Sequence, residues 1–242
     1  MIRVAAVGDV HVGVDSAGRL RPHLTGLADQ ADLFLLAGDL THRGRPEEAK
    51  TLVEELRGVQ VPTVAVLGNH DYHSDEQDTV TEVLETAGIK VLEGTGVVVE
   101  VGDHRVGIAG TKGFGGGFAG ACASDFGEPE MKRFVQHTKT LAEGLERALA
   151  ALRADRRVAL LHYSPVAETL AGEPREIHAF LGSYLLAEAV DRAGADLAVH
   201  GHAHRGSRIG ATPGGVPVRN VAAPVIGCSY EVFRFDVDGS PA

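Results

Sequence analysis

The 242-residue chain contains no tryptophan, only two cysteines and no apolar run long enough to cross a membrane. A membrane helix needs about 20 consecutive apolar residues, whereas stretches such as 32–38 and 97–101 have the length of strands. Cys122 and Cys228 cannot build a disulfide framework, which is typical of a reducing compartment. The N-terminus also lacks a basic segment followed by an apolar one, so we expect a cytoplasmic protein without a membrane partner.

Positive charge is scarce as well, because 23 Lys and Arg stand against 33 Asp and Glu, which gives a formal net charge of −10. Sequence-independent binding of long nucleic acids depends on clustered basic residues, so that class of partner is disfavoured. A small phosphorylated substrate remains compatible with the charge, since bound cations can reverse the local potential. The hydrophobic share of 44% excludes disordered and low-complexity classes. Self-association into a homo-oligomer stays open.

Length and pattern predict one domain over residues 1–242, without a linker or an internal repeat. Apolar runs alternate with helical patterns in the first third, which predicts parallel strands joined by right-handed crossovers. The predicted strands there are 2–7, 33–37 and 63–67, and the helical stretches are 19–30, 46–56 and 79–87. Further along we predict a hairpin at 97–109, a helix at 129–153, buried strands at 158–161 and 197–199 around a helix at 184–193, and antiparallel or edge strands at 216–221 and 230–237.

Two lid-like insertions, at about 112–137 and 164–184, interrupt this pattern and are expected to set selectivity. The first contains the segment 112–120, which is too rich in glycine for a helix or a strand. That segment is either a flexible surface connection or a loop over the site, in which Phe114 and Phe118 contact the organic part of a substrate. The sequence does not decide between the two.

Polar side chains follow five of the predicted buried strands. In chain order they are Asp9 and His11, then Asp39, then Asn69 with His70 and Asp71, then His162, and finally His202 with His204. The first three groups are spaced by 30 residues, about one strand–helix–strand step, so they share one end of neighbouring parallel strands. Asp and Asn are also ordinary turn residues, but turn chemistry does not explain four histidines at the same edge. We therefore expect a ligand-binding site there.

Imidazole and carboxylate ligands without thiolate favour Mn, Fe, Zn, Ni or Co over calcium or iron–sulfur clusters. More ligands are present than one tetrahedral ion uses, so two divalent ions that share a carboxylate are the simplest solution.

The motifs resemble those of the calcineurin-like metallophosphoesterase superfamily. They are Asp-x-His at 9–11, Gly-Asp-x5-Gly at 38–44, Gly-Asn-His-Asp at 68–71, the isolated His162, and Gly-His-x-His at 201–204. The resemblance implies an α/β fold, a four-layer αββα sandwich of two mixed β-sheets. His42 and Asp71 depart from the pattern of the protein Ser/Thr phosphatases, and the sequence looks closer to the small bacterial phosphodiesterase-like branch.

The resemblance also implies roles. The first metal would be bound by Asp9, His11, Asp39 and His204, and the second by Asp39 as a bridge together with Asn69, His162 and His202. The ions would be Mn or an Fe/Mn pair in preference to the others. His70 would protonate the leaving oxygen as a catalytic residue, and Asp71 would orient its ring.

We therefore expect a metal-dependent phosphoric ester hydrolase that acts on a small phosphoester. A dinuclear centre would hydrolyse phosphodiester, or phosphomonoester, bonds by direct attack of a metal-bridging hydroxide. Two alternatives stay open: a non-catalytic metal-binding interaction module on the same scaffold, and a phosphoprotein phosphatase.

The remaining histidines and the cysteines receive less specific interpretations. His42 approaches the site without binding a metal, His178 either lines the entrance or is an ordinary polar residue, and His200 ends its strand as a buried neighbour of the site. Cys122 and Cys228 are interpreted as inert small apolar residues. Four histidines are expected on the surface, namely His23, His73, His104 and His137.

Overall fold

The computed structural model describes residues 1–236. Its strands are β1 (Ile2–Val7), β2 (Leu33–Ala37), β3 (Thr63–Val66), β4 (Lys90–Val91), β5 (Thr95–Val101), β6 (His104–Thr111), β7 (Gly117–Phe118), β8 (Ala121–Cys122), β9 (Arg156–Leu161), β10 (Leu197–His200), β11 (Ile209–Ala211), β12 (Pro217–Asn220) and β13 (Glu231–Phe235). Its α-helices are α1 (Arg21–Leu24), α2 (Leu27–Gln30), α3 (Pro46–Glu55), α4 (Gln77–Thr86), α5 (Pro129–Ala151), α6 (His178–Leu181), α7 (Tyr184–Ala193) and α8 (Ala223–Ile226). Short 3-10 turns cover His70–Tyr72, Glu168–Leu170 and Arg175–Ile177.

The strands form two mixed sheets and one short ribbon. The first sheet has the order β13-β1-β2-β3-β4, in which β13 runs antiparallel to β1 and the other neighbours are parallel. The second has the order β11-β12-β10-β9-β6-β5, in which β11 and β5 at the two edges run antiparallel to their neighbours. The ribbon of β7 and β8 lies outside both sheets.

Successive side chains of the central strands point to different layers, as the alternation of a strand requires. Ala5 of β1 belongs to a buried cluster with Leu52 of α3, whereas Val4 belongs to a cluster with Val158 of β9, between the sheets. Leu145 of α5 is part of a third cluster, on the outer face of the second sheet. The layers are thus helices, sheet, sheet and helices, which confirms the predicted αββα sandwich.

Several predicted elements differ in detail from the structure. The helical stretch 19–30 is two short helices, because Gly26 between them has a φ of 79° that no helix accommodates. The helix predicted at 129–153 ends at Ala151. The segment predicted at 216–221 as an antiparallel or edge strand is β12, which does run antiparallel to β11 but lies inside the sheet, parallel to β10, because the unpredicted β11 takes the edge. The predicted end of the last strand, Val237, lies outside the described residues.

The two insertions lie against each other. The Gly116 amide donates to the Ala179 carbonyl at 2.7 Å, and the Gly117 amide donates to the Gly182 carbonyl at 2.9 Å. Residues 111–118 are largely buried and only 119–120 are exposed, so most of the segment 112–120 is not a surface connection. The expectation that this segment is too glycine-rich for a strand is wrong at Gly117–Phe118, although that strand has only two residues.

Within residues 1–236, we find no helix with the length and apolar character that a bilayer span requires.

Candidate metal centre

Unusual backbone conformations mark the strand ends that carry the candidate ligands. Five non-glycine residues of the described chain have a positive φ, and four of them are predicted ligands: Asp9 (58°), His11 (43°), Asp39 (51°) and His202 (69°). Such conformations cost on the order of 1–3 kcal/mol each and concentrate at functional sites. Asp and His tolerate this region better than most residues, so the sequence can place them there and turn their side chains towards one point.

Glycines at these ends serve close approach as well as turning. Gly38 has a φ of 81°, a conformation that favours glycine, whereas Gly8 and Gly68 do not have a positive φ. A Cβ atom on Gly68 would overlap the Asp39 carboxylate, and one on Gly201 would overlap that of Asp9. The missing side chains leave room for the carboxylates.

The first ligand cluster consists of Asp9, His11, Asp39 and His204, whose ligand atoms all lie within 4.8 Å of one another. His204 Nε2 lies 2.8 Å from Asp9 Oδ1, and His11 Nε2 lies 3.6 Å from Asp39 Oδ2. Burial alone raises the pKa of Asp9, but the hydrogen bond from His204 is the main cause that lowers it overall. The carboxylate is therefore ionised, as a metal ligand must be.

His11 has no hydrogen-bond partner within residues 1–236, although both of its ring nitrogens are buried. Burial lowers the pKa of His11, so the ring is held neutral with a free lone pair. A buried, unpartnered imidazole is costly unless something binds it, and a divalent cation within this cluster would satisfy the lone pair.

The second cluster consists of Asp39, His162 and His202, whose ligand atoms also lie within 4.8 Å of one another. His162 is fully buried, and its Nδ1 lies 2.9 Å from the Ala37 carbonyl, to which it donates. In the neutral form of the ring, which a metal ligand needs, the other nitrogen, Nε2, is an acceptor, and it lies 3.3 Å from Asp39 Oδ1 and 3.0 Å from Asn69 Oδ1. Three acceptor atoms that face one another repel, so this arrangement fits a cation between them.

His202 is held by the second insertion. Its Nε2 lies 3.4 Å from the carbonyl of Phe180, and its ring centroid lies 4.3 Å from that of Tyr163. Burial lowers the pKa of His202 to about 3. A neutral ring whose Nε2 donates to Phe180 keeps Nδ1 free for a metal, the usual division of roles for a ligating histidine.

The His70 ring lies beside the shared carboxylate, with Nε2 4.0 Å from Asp39 Oδ2. Its Nδ1 lies 2.8 Å from the backbone carbonyl of His42, and its side chain is 41% exposed. The exposure leaves Nε2 accessible to a substrate. The orienting partner is thus the His42 carbonyl, and the expectation that Asp71 orients the ring is wrong.

Asp71 instead connects the loops that follow β2 and β3. Its fully buried carboxylate accepts from the Leu40 amide at 3.1 Å, the Thr41 amide at 2.8 Å, the Thr41 hydroxyl at 2.6 Å and the Gly68 amide at 2.7 Å. Burial raises the pKa of Asp71, and these donors oppose that change. Asp71 therefore fixes the backbone that carries Asp39 and Asn69.

The other predicted side chains take mainly structural positions. His200 is fully buried as expected, with its pKa lowered by burial to about 4 and its Nε2 2.8 Å from the Thr169 hydroxyl. His178 lies at the start of α6, with Nε2 3.3 Å from the Glu173 carbonyl. His23, His73 and His137 are exposed and His104 is half-buried.

Cys122 and Cys228 are both exposed. Phe118 is buried with Leu170 and Leu181 rather than exposed above the site.

Lys112 is a residue that sequence reasoning missed. It is 7% exposed, and its Nζ lies 5.0, 5.1 and 5.3 Å from the ring centroids of Tyr72, Phe114 and Tyr163. Burial lowers the pKa of Lys112, and Glu93 and Asp39 oppose that change. The ammonium thus lies in an aromatic cage next to the second cluster. The sequence does offer one indication of this role: Lys112 directly follows β6, and the ends of other strands carry the candidate site residues.

Taken together, the structure is a mixed-sheet sandwich that carries two clusters of candidate metal ligands, with Asp39 common to both. Residues 2–206 match the family model described as calcineurin-like phosphoesterase. The match covers well over half of the chain, and the protein belongs to this family of divalent-metal phosphoester hydrolases. No curated protein sequence matches it.

Solved structures share the fold at low sequence identity. Phosphopantetheinyl hydrolase from Mycobacterium tuberculosis matches with a TM-score of 0.69 and 16% identity, over 99% of this chain and 98% of that one. The protein TT1561 of Thermus thermophilus matches with a TM-score of 0.56 and 16% identity, over 90% and 88% of the two chains. A putative 5'-nucleotidase from Staphylococcus aureus matches with a TM-score of 0.54 and 18% identity, over 90% of this chain and 48% of that one.

Proposed function

We propose that the protein is a dinuclear metal-dependent phosphoesterase that hydrolyses a small phosphodiester or phosphomonoester in the cytoplasm. The observation that carries the proposal is the Asp39 carboxylate, whose Oδ2 lies 3.6 Å from His11 Nε2 and whose Oδ1 lies 3.3 Å from His162 Nε2. One side chain therefore belongs to both ligand clusters, as a pair of ions with a common bridge requires. The two free cysteines support the location, because unpaired thiols are typical of a reducing compartment.

The ligand sets follow from the two clusters. The first ion would be held by Asp9, His11, Asp39 and His204. The second would be held by Asp39, His162 and His202, with Asn69 as a further oxygen ligand through the Oδ1 that already faces His162. Histidine and carboxylate donors favour Mn, Fe, Zn, Ni or Co, and within that set we propose Mn or an Fe/Mn pair.

When bound, a pair of divalent cations lowers the pKa of the water that attacks phosphorus and neutralises charge on the phosphate oxygens. His70 acts on the leaving group, whereas the cations act on the attacking water and the phosphate. Its Nδ1 is held by the His42 carbonyl at 2.8 Å, so Nε2 is directed into the site and can give a proton to the leaving oxygen. Asp71 contributes by fixing the loops that carry Asp39 and His70.

The test is metal analysis combined with hydrolysis of two chromogenic substrates, bis(p-nitrophenyl) phosphate and p-nitrophenyl phosphate, after loading with Mn. We expect about two ions per chain and turnover that a chelator abolishes and Mn restores. Faster hydrolysis of the diester would support the phosphodiesterase form of the proposal. A phosphoserine peptide is assayed beside them: two bound ions without turnover of any of the three substrates would favour a non-catalytic module, and turnover of the peptide alone would favour a phosphoprotein phosphatase.

A further inference from the structure

A group of three histidines lies beside the two ligand clusters. It consists of His11, His42 and His70, each of which offers one ring nitrogen, and these nitrogens all lie within 4.8 Å of one another. The ring centroids of His11 and His70 are 4.4 Å apart, and that of His42 lies 6.2 Å from the first and 6.1 Å from the second. We call this group the three-histidine cluster. The side chain of His42 is the one member that the proposed reaction does not use.

The backbone of three neighbouring strand ends fixes these positions. The loops that follow β1 and β2 run alongside each other, with the His11 amide donating to the Asp39 carbonyl at 3.0 Å. Further along the same loops, the His42 amide donates to the Val12 carbonyl at 3.1 Å. His70 follows β3, and its Nδ1 lies 2.8 Å from the His42 carbonyl. Because β1, β2 and β3 are adjacent in one sheet, the fold itself brings the three rings together.

The rings of this cluster have lone pairs available for a cation. Both ring nitrogens of His11 are buried and have no hydrogen-bond partner within residues 1–236. When Nδ1 of His70 donates to the His42 carbonyl, Nε2 keeps its lone pair, which is the usual arrangement of a ligating histidine. The His42 side chain is exposed, so its ring can turn the short distance that places all three nitrogens about 2.0–2.1 Å from one ion.

The composition of the cluster determines which ion it suits. Three neutral imidazoles include no oxygen ligand, whereas Mg and Mn prefer carboxylate, carbonyl and water. Zn, Ni, Co and Cu bind imidazole well, and three histidines with one water form a tetrahedral zinc site. The carboxylate of Asp39, whose Oδ2 lies 4.0 Å from His70 Nε2, adds attraction for a cation.

We propose that His11, His42 and His70 form a third metal site, selective for Zn and similar imidazole-binding ions, and that an ion bound there inhibits the protein. The site cannot be filled together with the first metal site, because both need His11 and a neutral imidazole has one lone pair. An ion there also holds the Nε2 of His70, which gives the proton in the proposed reaction. The inhibition rests on the proposed function, whereas the site itself rests on the three side chains.

The first test measures Zn binding without turnover, in an Asp39→Asn/His204→Asn background that weakens both other sites and keeps the three-histidine cluster. Isothermal titration calorimetry should show about one Zn per chain, and Mn should bind at least about 10-fold more weakly. Adding His42→Ala should weaken Zn binding at least about 10-fold, because removing a residue that only supports a ligand already costs that much. The matched control adds His73→Ala, which removes another exposed histidine and should leave the affinity unchanged.

The second test keeps all the other ligands. Mn-loaded protein is titrated with Zn at a fixed excess of Mn while hydrolysis of bis(p-nitrophenyl) phosphate is followed. The Zn concentration that halves the rate should be at least about 10-fold higher for His42→Ala than for wild type, and His73→Ala should behave as wild type. Exchange of Zn into the other two sites is common to the three proteins and does not produce this difference. Because His42 and His73 are exposed, their replacement leaves the core intact.

The outcomes separate this proposal from the proposed function. Equal Zn affinity with and without His42→Ala, or equal inhibition of wild type and His42→Ala, would overturn the three-histidine site. If Mn-dependent turnover accompanies that result, the three-histidine site alone is refuted. A protein without Mn-dependent turnover would contradict the phosphoesterase, and the calorimetric comparison would then decide by itself whether the three histidines bind Zn.

Discussion

At the scale of single residues, the Asp39 carboxylate is the point at which the two ligand clusters meet. Asp39→Asn keeps the shape of the side chain but removes the charge and one of the two equivalent oxygens. We expect metal content to fall from about two ions per chain to less than one, since both sites lose their common ligand. Turnover should fall by at least about 100-fold, because the loss of a residue that only hydrogen-bonds to a metal ligand already costs about 10- to 100-fold.

The control for Asp39→Asn is His204→Asn, which removes a ligand from the first cluster alone. Metal analysis of the two purified variants separates the possibilities. If Asp39→Asn loses only one ion, as His204→Asn is expected to do, then Asp39 does not bridge.

His70 gives the second prediction at this scale. His70→Asn should keep both metal ions but lose about 10²- to 10⁴-fold in kcat for substrates with poor leaving groups, because a general acid contributes most when the leaving oxygen is basic. The measurement is the slope of log kcat against the leaving-group pKa for a series of aryl phosphodiesters, which should become steeper in the variant.

His42→Ala is the matched variant for His70. The partner of His70 Nδ1 is the backbone carbonyl of residue 42, so removing the His42 side chain leaves that hydrogen bond in place. We expect the wild-type slope to be retained. A slope as steep as that of His70→Asn would show that the His42 side chain, rather than its carbonyl, controls the acid.

The positions of the ligands could be predicted from sequence, but their detailed partners could not. Asp9, Asp39 and Asn69 follow recognisable buried strands, and the topology alone brings such ends together. The contacts of Asp71 and Lys112 depend on residues 30 and 40 positions away, namely Thr41 and Tyr72. The packing of whole layers determines which of these side chains meet, and a local sequence pattern does not predict that packing.

At the scale of elements, the loops after β2 and β3 are held to each other by Asp71. Asp71→Asn turns one acceptor oxygen into a donor that faces amide groups, so at least one buried group loses its partner. We expect a loss of about 2–4 kcal/mol in the free energy of unfolding. Urea denaturation of the metal-free protein measures it.

His70→Asn serves again as the control for Asp71→Asn, because the His70 side chain is partly exposed and contributes little to packing. Metal-free Asp71→Asn with wild-type stability would show that the four hydrogen bonds do not hold the loops.

A second set of hydrogen bonds between elements links the start of the short helix α1 to Glu55 at the end of α3. The Glu55 side chain, in a residue that is 2% exposed, accepts from the amides of Gly18 at 2.7 Å, Leu20 at 2.7 Å and Arg21 at 2.9 Å. Burial alone raises the pKa of Glu55, but these three donors lower it overall from its ordinary value of 4.5. The carboxylate thus replaces the partners that the first turn of α1 lacks.

Because the pKa of Glu55 is lower in the folded than in the unfolded protein, its contribution to stability is complete above the ordinary value of 4.5. The contribution is lost as the pH falls from there through the lower folded pKa. Glu55→Gln should cost about 1–3 kcal/mol at pH 7, and the difference between wild type and variant should shrink as the pH falls below the ordinary value of 4.5. Urea denaturation of both proteins across this range measures it, and a constant difference would contradict the assignment.

The elements that sequence misplaced share a physical reason. Gly26 interrupts a pattern that is otherwise helical, and the three residues of β11 are too few to show an alternation. The long helix α5 and the strands β1 and β2 were placed within a few residues, because each buries a continuous apolar face. Short elements depend on their neighbours for stability, so their own residues carry little signal.

At the scale of the whole molecule, the candidate centre joins the two sheets. Asp9, Asp39 and Asn69 follow strands of the first sheet, and His162 and His202 follow strands of the second. The layers were predictable from the family resemblance, whereas the contact between the insertions was not, since it depends on how closely glycines allow two loops to approach. A cation bound at this centre therefore stabilises the packing of one sheet on the other.

Binding of Mn should consequently raise the temperature of unfolding of the whole protein. At a concentration about 100 times the dissociation constant, each ion adds about 2.7 kcal/mol if the unfolded chain does not bind it. For a chain of this length each kcal/mol corresponds to roughly 2–4 °C, so two ions should raise Tm by about 10–20 °C in differential scanning calorimetry. Mg at the same concentration should raise it less, because Mg prefers oxygen ligands to imidazole, and Asp39→Asn should lose most of the Mn effect. An equal Tm in Mn and in chelator would mean that these side chains do not form a metal centre, whatever their geometry.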